Sequence, residues 1–244
     1  KQAEVGIAVE GATDVAKAAA GAVLARGGLG DIAALVEESR RIHQRSLTYA
    51  LNVSVKKIEV PLLLALGVFA WKTFVFTPLL MALLLLANDV VSMAATSDRA
   101  QPSARPDTWQ AGRIIAGAVA VAIPMLAAST AVLVLAHGPW LHAGIEELRT
   151  VVFLTLVFSS QLTIYIVRTG APAWRDPPSK WLLAATALGV LAAATLALTG
   201  TLMPPVPPSV LAGVAVIVLA GALIADVIKV PVFRRLGIHS RQGN

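Results

Sequence analysis

The sequence predicts a mainly α, polytopic membrane protein of six transmembrane helices, preceded by the end of an α/β domain and a helical stalk. Three observations carry this. Of 244 residues, 57% are hydrophobic and only 14% charged, where a soluble domain carries about 25% charged. Uncharged stretches run from 114 to 145, from 150 to 167 and from 181 to 225, and they recur at the roughly 20 residues that a bilayer core demands. Lys and Arg collect in alternate connections: Arg99, Arg105 and Arg113 in one, Arg168, Arg175 and Lys180 in another, Lys229, Arg234, Arg235 and Arg241 at the end. The net charge of +6 therefore belongs to loops on one side of a membrane, and no nucleic-acid partner is expected.

In chain order, VGIAV has the pattern of a short buried strand, GATDVAKAAAG suits a small helix opening near Thr13 or Asp14, AVLA suggests a second strand, and GGLG breaks the chain. Residues 1–30 are too few to bury a core, so they are expected to close a larger α/β domain. From Asp31, an apolar face at Ile32, Leu35, Val36 and Ile42 and a Glu37 to Arg41 pair give a stalk helix over 31–46 with no breaker before Pro61. Continued to Trp71, it would be about 60 Å long. The alternative is two helices meeting near Arg45.

Six spans follow, at 47–71, 76–96, 114–136, 150–167, 181–202 and 209–230, and together they make a transmembrane domain over 47–230. An even count and the positive-inside rule both place the two ends in the cytoplasm. Trp71, Trp109, Trp140, Trp174 and Trp181 fall at or beside span ends, where the indole suits the headgroup layer. Gly221 and Ala225 have the four-residue spacing of close helix contacts. Residues 231–244 are a short basic tail, expected to be a solvated or headgroup-touching end. No cysteine is present, which excludes disulfides and thiolate sites. The first residues lack the layout of a signal peptide. The chain opens without Met and is expected to be a fragment.

The stretch VGIAVEGATDVAKAAAGAVLARGGLGDIAALVEESRRIHQR resembles the end of the phosphorylation domain and the stalk of P-type cation-transporting ATPases. The stretch LLANDVVSMAATSDRAQPSARPDTW is similar to the sixth transmembrane helix and following loop of their proton-pumping branch. The resemblance is closest over residues 4–109, and it implies that the six spans are the fifth to tenth of a ten-helix protein in the plasma membrane. The family's Asp-Lys-Thr-Gly and Thr-Gly-Asp-Gly motifs occur nowhere in the chain. It holds no catalytic residue and is expected to be inactive alone. ATP and Mg2+ are implied for the full-length parent, none bound by this chain. The implied partners are the bilayer, the missing N-terminal part of the pump (four membrane helices, actuator and nucleotide-binding domains) and the transported cation, H+.

Inside the spans, the carboxyls of Glu59 and Asp89 each lie about 18 Å deep by helical rise, counted from the hairpin joining the first two spans. An ionisable residue at such depth costs about 2.5 to 3.5 kcal/mol on insertion scales and demands a reason. Lys56 and Lys57 lie within a turn of Glu59, Asn52 a further turn or two away, and Asn88 next to Asp89, so the charges are expected to pair with one another. Asp89 is the candidate proton carrier, because burial raises a carboxyl's pKa towards neutrality. The resemblance implies a cation near the carrier, a role left to Lys56 or Lys57. Asp226, with Lys229 at i,i+3, is expected to form an interfacial pair. Ser159, Ser160, Gln161 and Thr163 form a further uncharged polar cluster. His43, His137, His142 and His239 read as ordinary interfacial residues. Two carboxylates beside two lysines do not make a calcium site, which wants six to eight oxygens. A pump for another cation such as magnesium or calcium, and a free-standing six-helix channel or structural protein, remain the alternatives.

Overall fold

The computed structural model describes residues 5–24, 29–72, 74–103, 108–140 and 144–239. Arg105, His142 and Arg241, which entered the sequence reading above, lie outside the described residues. The first segment forms β1 (Ile7–Ala8), α1 (Asp14–Ala19) and β2 (Ala22–Val23), with β1 and β2 paired in parallel. Thr13 begins α1 as its N-cap, its hydroxyl accepting from the Ala16 N–H at 3.4 Å, which satisfies one of the helix's orphan donors.

The rest is six long helices: α2 (Leu29–Trp71), α3 (Pro78–Ala95), α4 (Ala111–Leu135), α5 (Ile145–Val167), α6 (Lys180–Thr199) and α7 (Pro208–Leu236). Stalk and first span are one unbroken helix of 43 residues that continues through Pro61, so the alternative of two helices near Arg45 does not apply. The proline is tolerated on the side of α2 that no other element covers. Thr77 caps α3 and Ser179 caps α6 through their hydroxyls, and Gly200 and Gly237 end α6 and α7 with φ of 73° and 68°, the left-handed closure that glycine adopts without a Cβ penalty. Past Leu135, the chain makes one π-helical turn, Ala136–Trp140, whose Gly138 and Pro139 break the α pattern.

Five helices, α3 to α7, are long and apolar enough to cross a membrane. That is one fewer than the sequence reading expected. The difference is the membrane half of α2, where Lys56, Lys57 and Glu59 interrupt a run that is otherwise apolar. α2 nevertheless lies along α4 and touches α5, so its inner face is part of the same helical assembly. The tail differs from expectation too. Phe233 is fully buried and Ile238 is 5% exposed, so α7 and the residues just beyond it pack into the bundle instead of lying in solvent.

α5 occupies the centre, and its span is 89% buried, against 17% for α3 and 22% for α6. It touches α2, α3, α4, α6 and α7. The closest crossing is between α4 and α7, where a Cβ placed on Gly221 would stand 2.4 Å from the Ala128 Cβ. Gly112 near the start of α4 has nothing within 4 Å of the same position. Gly221→Ala should therefore force the two helices apart and lower stability by about 1–3 kcal/mol, while Gly112→Ala should be neutral or stabilise by about 0.5–1 kcal/mol. Thermal unfolding in detergent would show the two midpoints moving apart, and a Gly221→Ala protein melting at or above the parent would refute the close crossing.

Candidate functional site: an interior carboxyl and an outer carboxyl

The membrane half of α2 separates its polar residues by rotation. Glu59 and Asn52 lie seven residues apart, which at 100° per residue returns them to one face, and each is only 1% exposed. Lys57 is two residues from Glu59, on the opposite side, and is exposed. Lys56 lies between and is half-buried. The same rotation divides α3, where Asn88 is half-buried and Asp89, one residue and 100° further on, is exposed on the outer surface.

The charges therefore do not gather into the cluster expected from their common depth. Lys56 donates to the Asn88 Oδ1 at 3.0 Å, which fixes the register of the two antiparallel helices. Residue 59 then lies across from about residue 85, and Asp89 from about residue 55. No salt bridge joins Glu59 or Asp89 to either lysine among the described residues. The two carboxyls are thus offset by about four residues, or about 6 Å, along the helices, and helical phase turns them to different faces.

Glu59 finds its partners across the interior. The Ser129 hydroxyl of α4 donates to its Oε1 at 2.8 Å, and the Ser159 hydroxyl of α5 to the same oxygen at 2.6 Å. Three helices thus meet on one carboxyl oxygen. Ser159 belongs to the polar cluster of α5 noted in the sequence; Ser129 was missed, although Ser129 and Thr130 are the one polar pair inside the apolar run of α4. Asn52 has no hydrogen-bond partner on either amide atom, and neither has Gln161, 2% exposed on α5. Leaving such a group unpaired costs about 1–3 kcal/mol, and native structures seldom carry it without a use.

Two further buried ion pairs stand towards the stalk end. The Asp98 carboxylate accepts from Arg168 Nε at 2.6 Å and from the Ser179 N–H at 2.8 Å, while its backbone carbonyl accepts from Arg45 Nε at 3.0 Å. That one residue ties the stalk, the end of α5 and the start of α6 together. The Asp226–Lys229 pair forms as expected, at 2.7 Å, but both side chains are almost wholly buried, so it is an interior pair. Asp226 accepts from the Ala173 N–H and Lys229 donates to the Ile166 carbonyl. His239 is no ordinary interfacial residue either: its Nδ1 lies 2.7 Å from Gln44 Oε1 and its Nε2 2.9 Å from the Val167 carbonyl.

No protein-family model matches the chain. It is 29% identical over 243 residues, 98% of its length, to a protein of Methanocaldococcus jannaschii named as a cation-transporting ATPase, covering 30% of that protein. The chain is thus similar over nearly its whole length to part of a protein named as a cation-transporting ATPase. A protein of Dictyostelium discoideum named as a plasma membrane ATPase is 24% identical over 208 residues, 82% of the chain and 20% of that protein. The chain thus spans less than a third of the length of these ATPases, and the match to the first extends well past residue 109, through all six long helices.

The interior pair gives a direct test. Asp226→Ala should leave Lys229 buried without its counter-charge and cost about 3–5 kcal/mol, whereas Asp226→Leu combined with Lys229→Met should recover most of that loss. Thermal melts of the single and double variants would decide it. Equal midpoints for the two would show that the pair is not buried as described.

Proposed function

We propose that the chain is the membrane-transport portion of an ATP-driven cation pump, with protons as the exported ion and Asp89 as the carrier. One observation carries this reading: Asp89 lies on an outer face of α3 that is otherwise apolar, among Leu86, Val90 and Met93, which are 62%, 40% and 74% exposed. A carboxylate facing lipid at that depth is costly, so the face is one to be covered by protein. The remaining length of an ATPase like the relatives above supplies the cover, as further membrane helices that complete the transport site around Asp89, Asn88 and Lys56.

The Dictyostelium relative is named as a plasma membrane ATPase, which favours the plasma membrane. The cytoplasmic side is then the stalk side, with both ends of the chain on it, in line with the loop charges. ATP and Mg2+ act on the part of the protein beyond this chain. Among the described residues no three His, Asp or Glu side chains converge to hold a metal ion, and no step of phosphoryl transfer is assigned to these helices. The same donor poverty disfavours calcium as the cargo of this half alone. On this reading Asp89 carries the proton, and Lys56, held by Asn88 at 3.0 Å, is the fixed cation on the neighbouring helix.

Asp89→Asn in the intact pump keeps size and hydrogen bonding and removes the titrating group. Because Lys56 is bonded to Asn88 and not to Asp89, folding and expression should survive. Phosphorylation by ATP should continue while vesicle acidification falls to background. A well-expressed variant that acidifies vesicles at the parent's rate would end the carrier assignment, and acidification replaced by uptake of another cation in the parent would reassign the cargo.

A further inference from the structure

The last carbonyls of α5 have no partner within their own helix, as at any helix end, and two side chains from α7 and the segment after it meet them. Lys229 donates to the Ile166 carbonyl, and His239 Nε2 lies 2.9 Å from the Val167 carbonyl. The other imidazole nitrogen, Nδ1, lies 2.7 Å from Oε1 of Gln44 on the stalk part of α2, a residue only 4% exposed. One half-buried ring therefore joins the stalk, the end of the central helix and the segment that follows α7.

The backbone is fitted to hold the ring there. Gly237 turns the chain out of α7, and the Ile238 N–H donates to the Phe233 carbonyl at 2.9 Å. The Ile238 Cδ1 would lie 2.6 Å from a Cβ on Gly117, and the His239 carbonyl 3.1 Å from one on Gly170. Glycine at 117 and 170 is what lets this segment come so close to the bundle. His239 itself has φ of 51°, a left-handed backbone that a residue with a Cβ adopts only when its contacts hold it there.

The two partners fix the protons. The Val167 carbonyl can only accept, so Nε2 donates in either state of the ring. With Gln44 Oε1 facing Nδ1, that nitrogen donates as well, and the ring is the imidazolium. Loss of one proton leaves Nδ1 an acceptor. Gln44 must then turn its amide nitrogen to the ring, and the contact loses the added strength of a charged donor.

The surrounding charges act in both directions. Asp176 lines the same small pocket and, with the negative end of α5, favours the imidazolium. Arg99 and Arg168 line that pocket too and oppose it, as does Arg113 near Gly237 on α4. Arg168 is paired with the Asp98 carboxylate at 2.6 Å. On the stalk, Arg40 bonds the Ser103 carbonyl at 3.2 Å, and Arg45 bonds the Asp98 carbonyl and pairs with Glu38. α7 turns the Phe233 ring to His239, with centroids 6.2 Å apart, and its Arg234 and Arg235 are exposed.

We propose that His239 is a pH-sensitive clasp between stalk and bundle, closed when the imidazolium donates to both Gln44 and the Val167 carbonyl, and loosened when Nδ1 loses its proton to solvent through the small pocket. Imidazole is the side chain that titrates near neutral pH, at about 6.5 when unperturbed, and neither of its two partners titrates there. Acidification on the stalk side therefore fixes the stalk to the end of α5, and a rise in pH frees it. The stability that the clasp contributes is present at low pH and is lost as pH rises through the titration of the folded ring.

The clasp stands apart from the pump reading, and its test needs no transport. Nitrogen-15 NMR of the histidine-labelled intact protein in lipid nanodiscs reads both ring nitrogens, with the His239 signals assigned by their absence in His239→Gln. Both nitrogens should be protonated at about pH 5.5, and the midpoint should lie above about 6.5. Gln44→Glu, which offers only acceptors, should raise the midpoint by about one pH unit or more, and Gln44→Leu should lower it. The parent should melt above His239→Gln by about 2–4 °C more at about pH 5.5 than at about pH 8.5. A ring still neutral at the lower pH, a midpoint that ignores both Gln44 variants, or a melting gap equal at the two pH values would each overturn the clasp. Asp89→Asn should leave the His239 titration unchanged, so failure of the carrier assignment and failure of the clasp are read separately.

Discussion

The burial of α5 is the constraint on which the other helices depend. A helix covered on every side has no solvent or lipid face on which to leave a polar group, so a polar side chain it carries is met by a neighbour or by its own backbone, or is left unpaired at a cost, as Gln161 is. Ser159 is met by Glu59 of α2, Tyr165 by Thr186 of α6 and Thr150 by the Pro204 carbonyl. These contacts set the rotation of α2 and α6 about α5 in a way that apolar packing, which is non-directional, does not. Membrane interfaces draw on close packing and interhelical hydrogen bonds for association, and both are visible here: hydroxyl contacts around α5, and the glycine crossing of α4 on α7.

Much of this architecture was legible in the sequence. Hydropathy and loop charge placed the six long helices with small errors at their ends, and Thr13 marked the start of α1. The pairing of Asp226 with Lys229 followed from i,i+3 spacing alone. What was hidden is what depends on rotation between helices. Counting residues from a hairpin gives depth, and depth put Glu59 and Asp89 together; the face each presents depends on how α2 and α3 pack on α4, α5 and α6, which no local pattern records. The tail was misread for a similar reason, because PVFRRLGIHS looks solvated until Phe233 and Ile238 are seen filling space beside Gly117.

The lysines show how phase assigns roles. Lys56 and Lys57 are adjacent and alike in composition terms, yet one turns towards Asn88 and the other away from the protein. A lysine on the outer face can carry its ammonium along its own methylene stem towards the interface, so Lys57 needs no partner in this half of the protein. Lys56 cannot reach out in that way without giving up the Asn88 amide. It is therefore the cation fixed between the interior carboxyl and the outer one.

Four acids, Glu59, Asp89, Asp98 and Asp226, then separate by what neutralises them. Asp98 and Asp226 each have a buried basic partner and a backbone N–H, the arrangement that holds a charge permanently and locks loops to helices. Glu59 and Asp89 have neither. A carboxyl stabilised only by hydroxyls, or left on an apolar face, lacks the permanent counter-charge that Asp98 and Asp226 have. Among the described residues the buried ion pairs thus tie loops to helices at Asp98 and Asp226, while Glu59 is met by hydroxyls alone and Asp89 stands on an apolar outer face.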